Sequence, residues 1–169
     1  MKPIIIAIVG PSGAGKTLAT QILKRNLGIP DIVSYTTRPM RAGETNGVEH
    51  HFVSEEEMPD KLEMMAYTYY GGYHYWATFS QVPNDSLCAY VVDEKGLKDL
   101  IYANFIEIYA VYIDRNTERI AESVIKERIE RDANRIQVND LLYKYVIENN
   151  GTVEEFEEKL LLMIESILI

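Results

Sequence analysis

One N-terminal segment restricts the possible folds of this chain more than any other feature. Residues 4–9 form an apolar, mostly β-branched run, which predicts a strand buried on both faces of a sheet. The next eight residues read Gly10-Pro11-Ser12-Gly13-Ala14-Gly15-Lys16-Thr17. Apolar residues then recur at helical spacing over residues 16–27, and Gly28 ends the predicted helix. A strand, a glycine-rich loop and a helix in this order predict the start of a parallel α/β sheet.

The glycine-rich loop matches the pattern G-x-x-x-x-G-K-[S/T], which holds phosphate groups when it lies between a strand and a helix. Its glycines let backbone N–H groups point inward, and the start of the following helix adds a positive dipole. Lys16 is placed to neutralise the β- and γ-phosphates, and Thr17 is placed to bind Mg²⁺. We therefore expect ATP as the nucleotide and Mg²⁺ as the cofactor. The expected ATP-binding residues of the loop are Gly10, Ser12, Gly13, Ala14, Gly15, Lys16 and Thr17.

The composition is that of a folded domain with an acidic surface. The chain has 169 residues, of which 47% are hydrophobic and 25% are charged, and this fits a single domain. The 17 Lys and Arg residues and the 26 Asp and Glu residues give a net charge of −9, which disfavours binding to nucleic acid or to an anionic membrane. Cys88 is the only cysteine, which excludes an intrachain disulfide and favours a reducing, cytoplasmic location.

Apolar runs alternate with helical periodicities along most of the remaining chain. Strands are predicted at residues 32–35, 87–92 and 105–113, and helices at residues 94–102, 117–135 and 153–167. This alternation predicts a three-layer α/β fold around a parallel sheet. Residues 36–85 break the pattern with Pro, Gly, alternating polarity and the aromatic run 67–76. We expect an inserted lobe of short strands, mixed or antiparallel, over about residues 34–85, and a core formed by residues 1–33 and 86–169.

A second segment carries a resemblance to a known family. Residues 33–54 read VSYTTRPMRAGETNGVEHHFVS and resemble the nucleotide-binding segment of the guanylate kinase family. The resemblance continues at residues 72–75 (GYHY), 92–96 (VDEKG) and 146–150 (VIENN), so it covers most of the chain. It implies a P-loop nucleoside monophosphate kinase, in which ATP binds the glycine-rich loop and a monophosphate binds the inserted lobe. Since the attacking phosphate oxygen is already anionic, transfer needs positioning and charge stabilisation rather than a general base.

Arg38 and Arg41 are implied by the resemblance to grip the phosphate of the acceptor monophosphate, with Tyr75 and His50 completing this anion site. The chemistry of the residues agrees, because two arginines three positions apart can present fork-shaped donors to one dianionic phosphate. Spacing alone would favour ordinary surface charges, and it is the surrounding motif that favours a phosphate site. His50 departs from the family pattern, which has a tyrosine at this position.

The resemblance implies roles for three further residues. Ser34 contacts the acceptor base, Asp93 lies between the acceptor nucleotide and the water shell of Mg²⁺, and Asn149 lies beside the base of ATP. Ala66 stands where the family has a base-reading acidic residue, and Glu63 could serve only with a shifted register. The phosphate-handling residues are thus kept while base-reading residues are changed. This is the pattern expected when the acceptor changes and the reaction does not.

Residues 119–135 resemble the lid helix that brings arginines onto the phosphates in these kinases. The segment contains the sequence ERIERD at residues 127–132. Arg128 is the first candidate for the arginine that stabilises the transferred group, followed by Arg131 and Arg119. A solvated helix with Glu and Arg pairs three and four residues apart explains the same spacing, and both interpretations stay open for each arginine.

These observations predict an ATP-dependent nucleoside monophosphate kinase whose foremost acceptor is GMP or dGMP. A kinase of the same fold for another deoxynucleotide or a ribose phosphate is the first alternative. A non-catalytic, protein-binding module of the guanylate kinase type is disfavoured by the intact Lys16 and Thr17, and a GTPase-like switch by the lack of an Asn-Lys-x-Asp segment. The expected partners are ATP and the monophosphate, without nucleic acid or membrane, and the chain is expected to be a monomer or a homodimer.

Overall fold

The structure is a computed structural model that describes residues 2–84, 86–104, 106–116, 118 and 142–169. Along the chain the elements are β1 (Ile4–Val9), α1 (Lys16–Leu27), β2 (Asp31–Ile32), β3 (Tyr35–Thr36), β4 (His51–Phe52), β5 (Met64–Tyr70), β6 (Tyr73–Thr78), β7 (Leu87–Val91), α2 (Glu94–Ala103), β8 (Glu107–Asp114), β9 (Tyr145–Glu148) and α3 (Val153–Leu168). Short 3₁₀ turns are formed by Glu55–Glu57, Lys61–Glu63 and Phe79–Gln81. Among the described residues, a helix follows each of β1, β7 and β9, which agrees with the predicted alternation of strands and helices.

In the part of the chain that the structure describes, the central sheet has five parallel strands in the order β2-β7-β1-β8-β9. β1 lies in the middle, hydrogen-bonded to β7 on one side and to β8 on the other. Successive side chains of β1 point to opposite faces of the sheet. Ile6 and Ile8 pack with α1 and α3 on one face, whereas Ile5 and Ala7 pack with α2 and β5 on the other. The predicted three-layer α/β fold is thus confirmed.

The described residues also form a second, smaller sheet with four strands in the order β4-β3-β6-β5. β3 pairs in parallel with β4 and antiparallel with β6, and β6 pairs antiparallel with β5, so the sheet is mixed. Trp76 of β6 is 1% exposed and stacks on Tyr35 of β3, with ring centroids 5.6 Å apart. The small sheet expected from the break in the strand–helix pattern is therefore present, and its aromatic run contributes packing.

The prediction of one continuous strand at residues 32–35 is wrong, because the segment contributes to two strands. β2 pairs with β7 in the large sheet, whereas β3 pairs with β4 and β6 in the small sheet. Between them, the carbonyl oxygen of Val33 accepts a hydrogen bond of 2.8 Å from the Gln81 side chain. The carbonyl oxygen of Ser34 accepts one of 2.9 Å from the backbone N–H of His51. The chain thus passes between the two sheets within two residues, because different strands satisfy its backbone on either side.

The helices α1, α2 and α3 begin and end within one residue of their predicted bounds. α1 is followed by Gly28, which has a left-handed φ of 66°. The Asp93 carboxylate caps α2, and Thr152 and Glu155 form a capping box at the start of α3. Most of the helix predicted at residues 117–135 lies outside the described residues. None of the helices in the described part of the chain is long and apolar enough to cross a membrane.

Candidate active site

The glycine-rich loop joins the carboxyl end of β1 to the first turn of α1. A Cβ atom on Gly10 would lie 2.7 Å from the carbonyl oxygen of Ile113 in β8, so only glycine fits where the loop leaves the sheet. Gly15 has a left-handed φ of 103°, and a Cβ atom there would collide with the side-chain amide of Asn149. Both glycines are therefore required by the neighbouring strands as well as by the turn itself.

Lys16 folds back over this loop. Its Nζ atom donates hydrogen bonds to the carbonyl oxygens of Gly10 and Pro11, each at 2.8 Å. Thr17 is exposed in the first turn of α1, where its hydroxyl group can reach a phosphate or a metal ion. The loop therefore combines an ammonium group, a hydroxyl group and the positive end of a helix dipole at the carboxyl edge of the sheet.

Two side chains from the neighbouring strands hold the loop backbone. Asn149 follows β9 and is 9% exposed, and its Nδ2 atom donates to the carbonyl oxygen of Ala14 at 2.7 Å. Arg115 follows β8, and its Nη1 atom donates to the carbonyl oxygen of Gly13 at 2.6 Å. Asn149, which the resemblance places beside the base of ATP, thus contacts the loop directly. Sequence reasoning misses Arg115, whose one signal is a cation directly after the carboxyl end of a strand.

Arg38 is only 7% exposed and lies just after β3. Its guanidinium group makes two hydrogen bonds, of 2.8 and 3.0 Å, to the Glu44 carboxylate and a third, of 2.8 Å, to the carbonyl oxygen of Pro39. The guanidinium carbon lies 5.3 Å from the centroid of the Phe52 ring. The hydrogen bond with Glu44 is the main cause that raises the pKa of Arg38, and it lowers the pKa of Glu44 to about 2. Both groups are therefore charged at neutral pH.

Glu44 also fixes the backbone of the second predicted arginine. The backbone N–H of Arg41 donates to the Glu44 Oε2 atom at 2.7 Å, and the backbone N–H of Glu44 donates to the Arg41 carbonyl oxygen at 3.2 Å. The Arg41 side chain is exposed, in contrast to the buried Arg38. Sequence reasoning misses Glu44, although a carboxylate three residues after one arginine and six after another is a usable sign of a salt bridge.

His50 lies in the same cluster as Arg38, Ser34 and Tyr75. The Ser34 Oγ and His50 Nδ1 atoms are 2.8 Å apart, which is a hydrogen-bond distance. The His50 ring meets the Tyr75 ring edge-on, with centroids 5.8 Å apart. Burial, and then the positive charge of Arg38, lower the pKa of His50, so its imidazole is neutral at pH 7. The structure thus brings four of the predicted acceptor-binding residues together.

Asp93 connects the large sheet to the small one. It follows β7, whose carboxyl end lies next to that of β1. Its Oδ1 atom accepts the backbone N–H of Gly96 at 2.7 Å, and its Oδ2 atom accepts the hydroxyl of Thr68 in β5 at 3.1 Å. The carboxylate thus lies between β1, which leads into the glycine-rich loop, and the small sheet. The small sheet carries Ser34, Arg38, His50 and Tyr75, which we call the arginine cluster. Ligand-binding groups of open α/β folds occupy this kind of position.

Ala66 and Glu63 are the two residues at or near the position where the resembled family has a base-reading acid. Their surroundings differ from each other, since Ala66 is buried and Glu63 is exposed. Ala66 is 7% exposed and has a left-handed φ of 51° at an irregularity of β5. It packs so closely on α2 that a Cβ atom on Gly96 would lie 3.1 Å from the Ala66 Cβ atom. Glu63 is exposed at the end of a 3₁₀ turn. The lid candidates outside the described residues are Arg119, Arg128 and Arg131.

The chain is similar to known proteins in both sequence and structure. A family model described as guanylate kinase matches residues 1–167. The guanylate kinase of Chlorobium luteolum is 29% identical over 184 positions, which cover 97% of this chain and 92% of that protein. The guanylate kinase of a Nostoc species is 30% identical over 155 positions, which cover 80% of this chain and 77% of that protein. The crystal structure of guanylate kinase from Anaplasma phagocytophilum shares the fold, with a TM-score of 0.74, 21% identity, and coverage of 98% of this chain and 87% of that one.

Proposed function

Since the chain belongs to the guanylate kinase family, we propose how its residues carry out the reaction of that family. The chain is a nucleoside monophosphate kinase, which transfers the γ-phosphoryl group of ATP to GMP. We add dGMP as a second acceptor. One observation carries the assignment of residues: Asp93 lies between an intact phosphate loop and a sheet with a buried, ion-paired Arg38.

ATP binds at the glycine-rich loop in this proposal. The backbone N–H groups of residues 10–17 and the start of α1 hold the phosphates. Lys16 turns from the carbonyl oxygens that it now contacts towards the β- and γ-phosphates, where its charge stabilises the transferred group. Asn149 borders the base of ATP while its amide keeps the loop in place.

Mg²⁺ is the cofactor that an ATP-using kinase implies, and the residues of this site fit it. The Thr17 hydroxyl is an exposed oxygen donor beside the phosphate loop, and the Asp93 carboxylate can accept from water in the shell of the ion. Mg²⁺ keeps several waters and is bound by phosphates and one or two protein oxygens, so this small donor set suffices. When bound, the ion neutralises charge on the phosphates of ATP.

The acceptor phosphate binds at the arginine cluster of the small sheet. Arg38 has five N–H donors, of which three donate to Glu44 and Pro39, so two remain for Tyr75 or a phosphate oxygen. The exposed Arg41 can turn onto the same phosphate and supply a second fork of donors. The anionic acceptor oxygen then attacks the γ-phosphate in line, and the residues contribute positioning and charge stabilisation.

We further propose a division of the chain into parts with separate roles. Residues 34–85 form the acceptor lobe, with Ser34 towards the acceptor base, and about residues 119–135 form a lid. Arg128, followed by Arg131 and Arg119, is the candidate for the lid arginine, on the basis of the ERIERD sequence alone. Closure of a lid keeps water away from the γ-phosphate and completes the set of charges around it.

The conditions in which the protein acts are also part of the proposal. Cys88 is fully buried, and burial raises the pKa of its thiol to about 12, so it stays protonated and unreactive. A single cysteine of this kind supports a reducing, cytoplasmic location. The net charge of −9 supports action on free nucleotides rather than on nucleic acid. We propose that the chain acts as a monomer or a homodimer.

An acceptor panel tests the proposed reaction. ADP formation from ATP and Mg²⁺ is measured with ribo- and deoxynucleoside monophosphates, with ribose phosphates, and without an acceptor. A rate with GMP or dGMP well above every other rate supports the proposal. The proposal fails if no acceptor stimulates ADP formation above the rate without acceptor.

Two observations favour a second candidate, a kinase of the same fold for another deoxynucleotide or a ribose phosphate. The Ser34 hydroxyl is bonded to His50, and Ala66 provides no carboxylate. A site with few polar partners for a base discriminates weakly between bases, because little is lost when the base changes. The same panel decides between the two candidates, since the second predicts that an acceptor other than GMP and dGMP gives the highest rate.

A further inference from the structure

Arg115 lies against the phosphate loop although it is far from the loop in the sequence. It comes directly after β8, which pairs in parallel with β1, so the carboxyl ends of the two strands are adjacent. Its Nη1 atom donates a 2.6 Å hydrogen bond to the carbonyl oxygen of Gly13, in the middle of the loop. The close approach of Gly10 to the Ile113 carbonyl oxygen brings the loop to the end of β8.

The contact with Arg115 completes a set of hydrogen bonds that fixes two consecutive peptide planes of the loop. The Gly13–Ala14 peptide is held at both ends, because its carbonyl group accepts from Arg115 and its N–H group donates to the Pro11 carbonyl oxygen at 3.2 Å. The next peptide is held by Asn149, which donates to the Ala14 carbonyl oxygen. The C=O and N–H groups of one trans peptide point in opposite directions. The N–H of Gly15 therefore points away from Asn149.

Arg115 also brings a positive charge to this position. Its Nε–H group is buried and has no hydrogen-bond acceptor among the residues that the structure describes. A buried donor of a charged group without a partner destabilises the protein that contains it. The triphosphate of ATP carries several negative charges, and its binding to the loop would lower the electrostatic cost of this guanidinium.

We propose that Arg115 is a positioning residue of the ATP site, a role that rests on the proposed function of the loop. By holding the Gly13 carbonyl group it keeps the loop in its phosphate-binding shape before the nucleotide arrives, and its charge adds to the attraction for the triphosphate. A preorganised loop loses less conformational freedom on binding, so affinity for phosphates increases. The acceptor site, built from other elements, is not affected by Arg115.

Three variants test this role. Arg115→Met removes the donors and the charge, and Arg115→Lys keeps the charge and one donor nitrogen. Arg25→Met is the matched control, because Arg25 also joins two elements through a 2.6 Å bond to Glu157, but on the surface between α1 and α3. For each variant we would measure the KM values for ATP and for the acceptor, and the affinities for ADP and for tripolyphosphate by calorimetry with Mg²⁺.

We expect Arg115→Met to weaken the binding of ADP and of tripolyphosphate to a similar extent, about tenfold. The KM for ATP should rise, and the KM for the acceptor should stay unchanged. Arg115→Lys should recover most of this loss, and Arg25→Met should match the wild type. Weaker ADP binding with unchanged tripolyphosphate binding would overturn the proposal, because it would indicate contact with the base. Unchanged affinities in a folded but less stable Arg115→Met would also overturn it. If no acceptor is phosphorylated, the proposed function fails, while the two binding measurements still decide the role of Arg115.

Discussion

The phosphate loop and the arginine cluster, the two proposed phosphate sites, are built from different parts of the chain. In the loop, side chains from neighbouring strands hold the carbonyl groups, and the groups proposed to face a phosphate are mainly backbone N–H groups. In the cluster, side chains hold one another, as Glu44 holds Arg38 and His50 holds Ser34. A backbone site depends on glycines at fixed positions, whereas a side-chain site can change its members and still bind an anion.

The largest expected effect comes from the loop, through Lys16→Met. The variant loses the only side-chain ammonium of the loop, so kcat should fall by about a thousandfold or more. Lys24→Met is the control, since Lys24 lies on the same helix and pairs with Asp31 at the surface. Steady-state kinetics of ADP formation would measure both. Comparable activity in the two variants would contradict the role given to the loop.

A smaller effect is expected in the cluster, through Glu44→Gln. The neutral side chain no longer orients the buried Arg38 as an ion pair, so the acceptor KM should rise about tenfold while the KM for ATP stays unchanged. Glu49→Gln is the control, because Glu49 accepts the backbone N–H of Thr45 in the same loop and can still do so as an amide. A fall in the acceptor KM would show that Glu44 competes with the phosphate instead of positioning Arg38.

The same ion pair predicts a dependence of stability on pH. The pKa of Glu44 is about 2 in the folded protein and near 4.5 when unfolded, so its contribution is complete above about pH 4.5 and is lost as the pH falls towards 2. Thermal unfolding between pH 6 and pH 3 should therefore show a steeper fall in Tm for the wild type than for Glu44→Gln. Parallel curves would mean that the pair does not stabilise the fold.

A weaker effect of pH is expected on acceptor binding, through His50. Burial and Arg38 lower the pKa of His50, and a bound dianionic phosphate would raise it again, so acceptor binding takes up a proton at pH values between the pKa of the free and of the bound imidazole. The wild-type affinity for the acceptor, divided by that of His50→Gln, should increase as the pH falls from about 7.5 to about 5.5, by less than about tenfold per pH unit. His51→Gln is the control, because the ring of His51 lies against Tyr35 instead, and this variant should keep the wild-type dependence on pH. A constant ratio would exclude proton uptake by His50.

The smallest effect is expected for Ala66→Gly. Glycine relieves the left-handed backbone of Ala66, while the loss of a buried methyl group costs a similar amount, so stability should change by less than about 1 kcal/mol. Denaturant unfolding measures this change, and both KM values should stay the same. A loss above about 2 kcal/mol would show that packing of Ala66 on α2 outweighs the backbone strain.

The features that depend on local sequence could be predicted. The period of the apolar residues and the capping residues give α1, α2 and α3, the helices within the described residues, to within one residue. The glycine pattern gives the phosphate loop with its strand and helix. In each case the cause lies within a few positions, such as the left-handed Gly28 that ends α1. The small mixed sheet could also be predicted from the sequence, because alternating polarity and turn residues interrupt the strand–helix pattern.

The features that depend on partners far away in the sequence could not be predicted from local sequence. Residues 32–35 look like one strand, yet their two ends find hydrogen-bond partners in different sheets. Arg115 lies about a hundred positions from Gly13, so only the packing of β8 beside β1 brings them together. Glu44 is near Arg38 in sequence, but whether it contacts that arginine depends on how the intervening turn folds.

In the proposed function the loop serves ATP and the arginine cluster serves the acceptor monophosphate. Separate binding measurements on Arg38→Ala test this division most directly. Calorimetry would give the affinities of wild type and variant for GMP and, separately, for ADP with Mg²⁺, and the ADP measurement also reports whether the variant is folded. We predict that GMP binding weakens about a hundredfold while ADP binding changes by less than about twofold. Unchanged GMP binding beside normal ADP binding would contradict the claim.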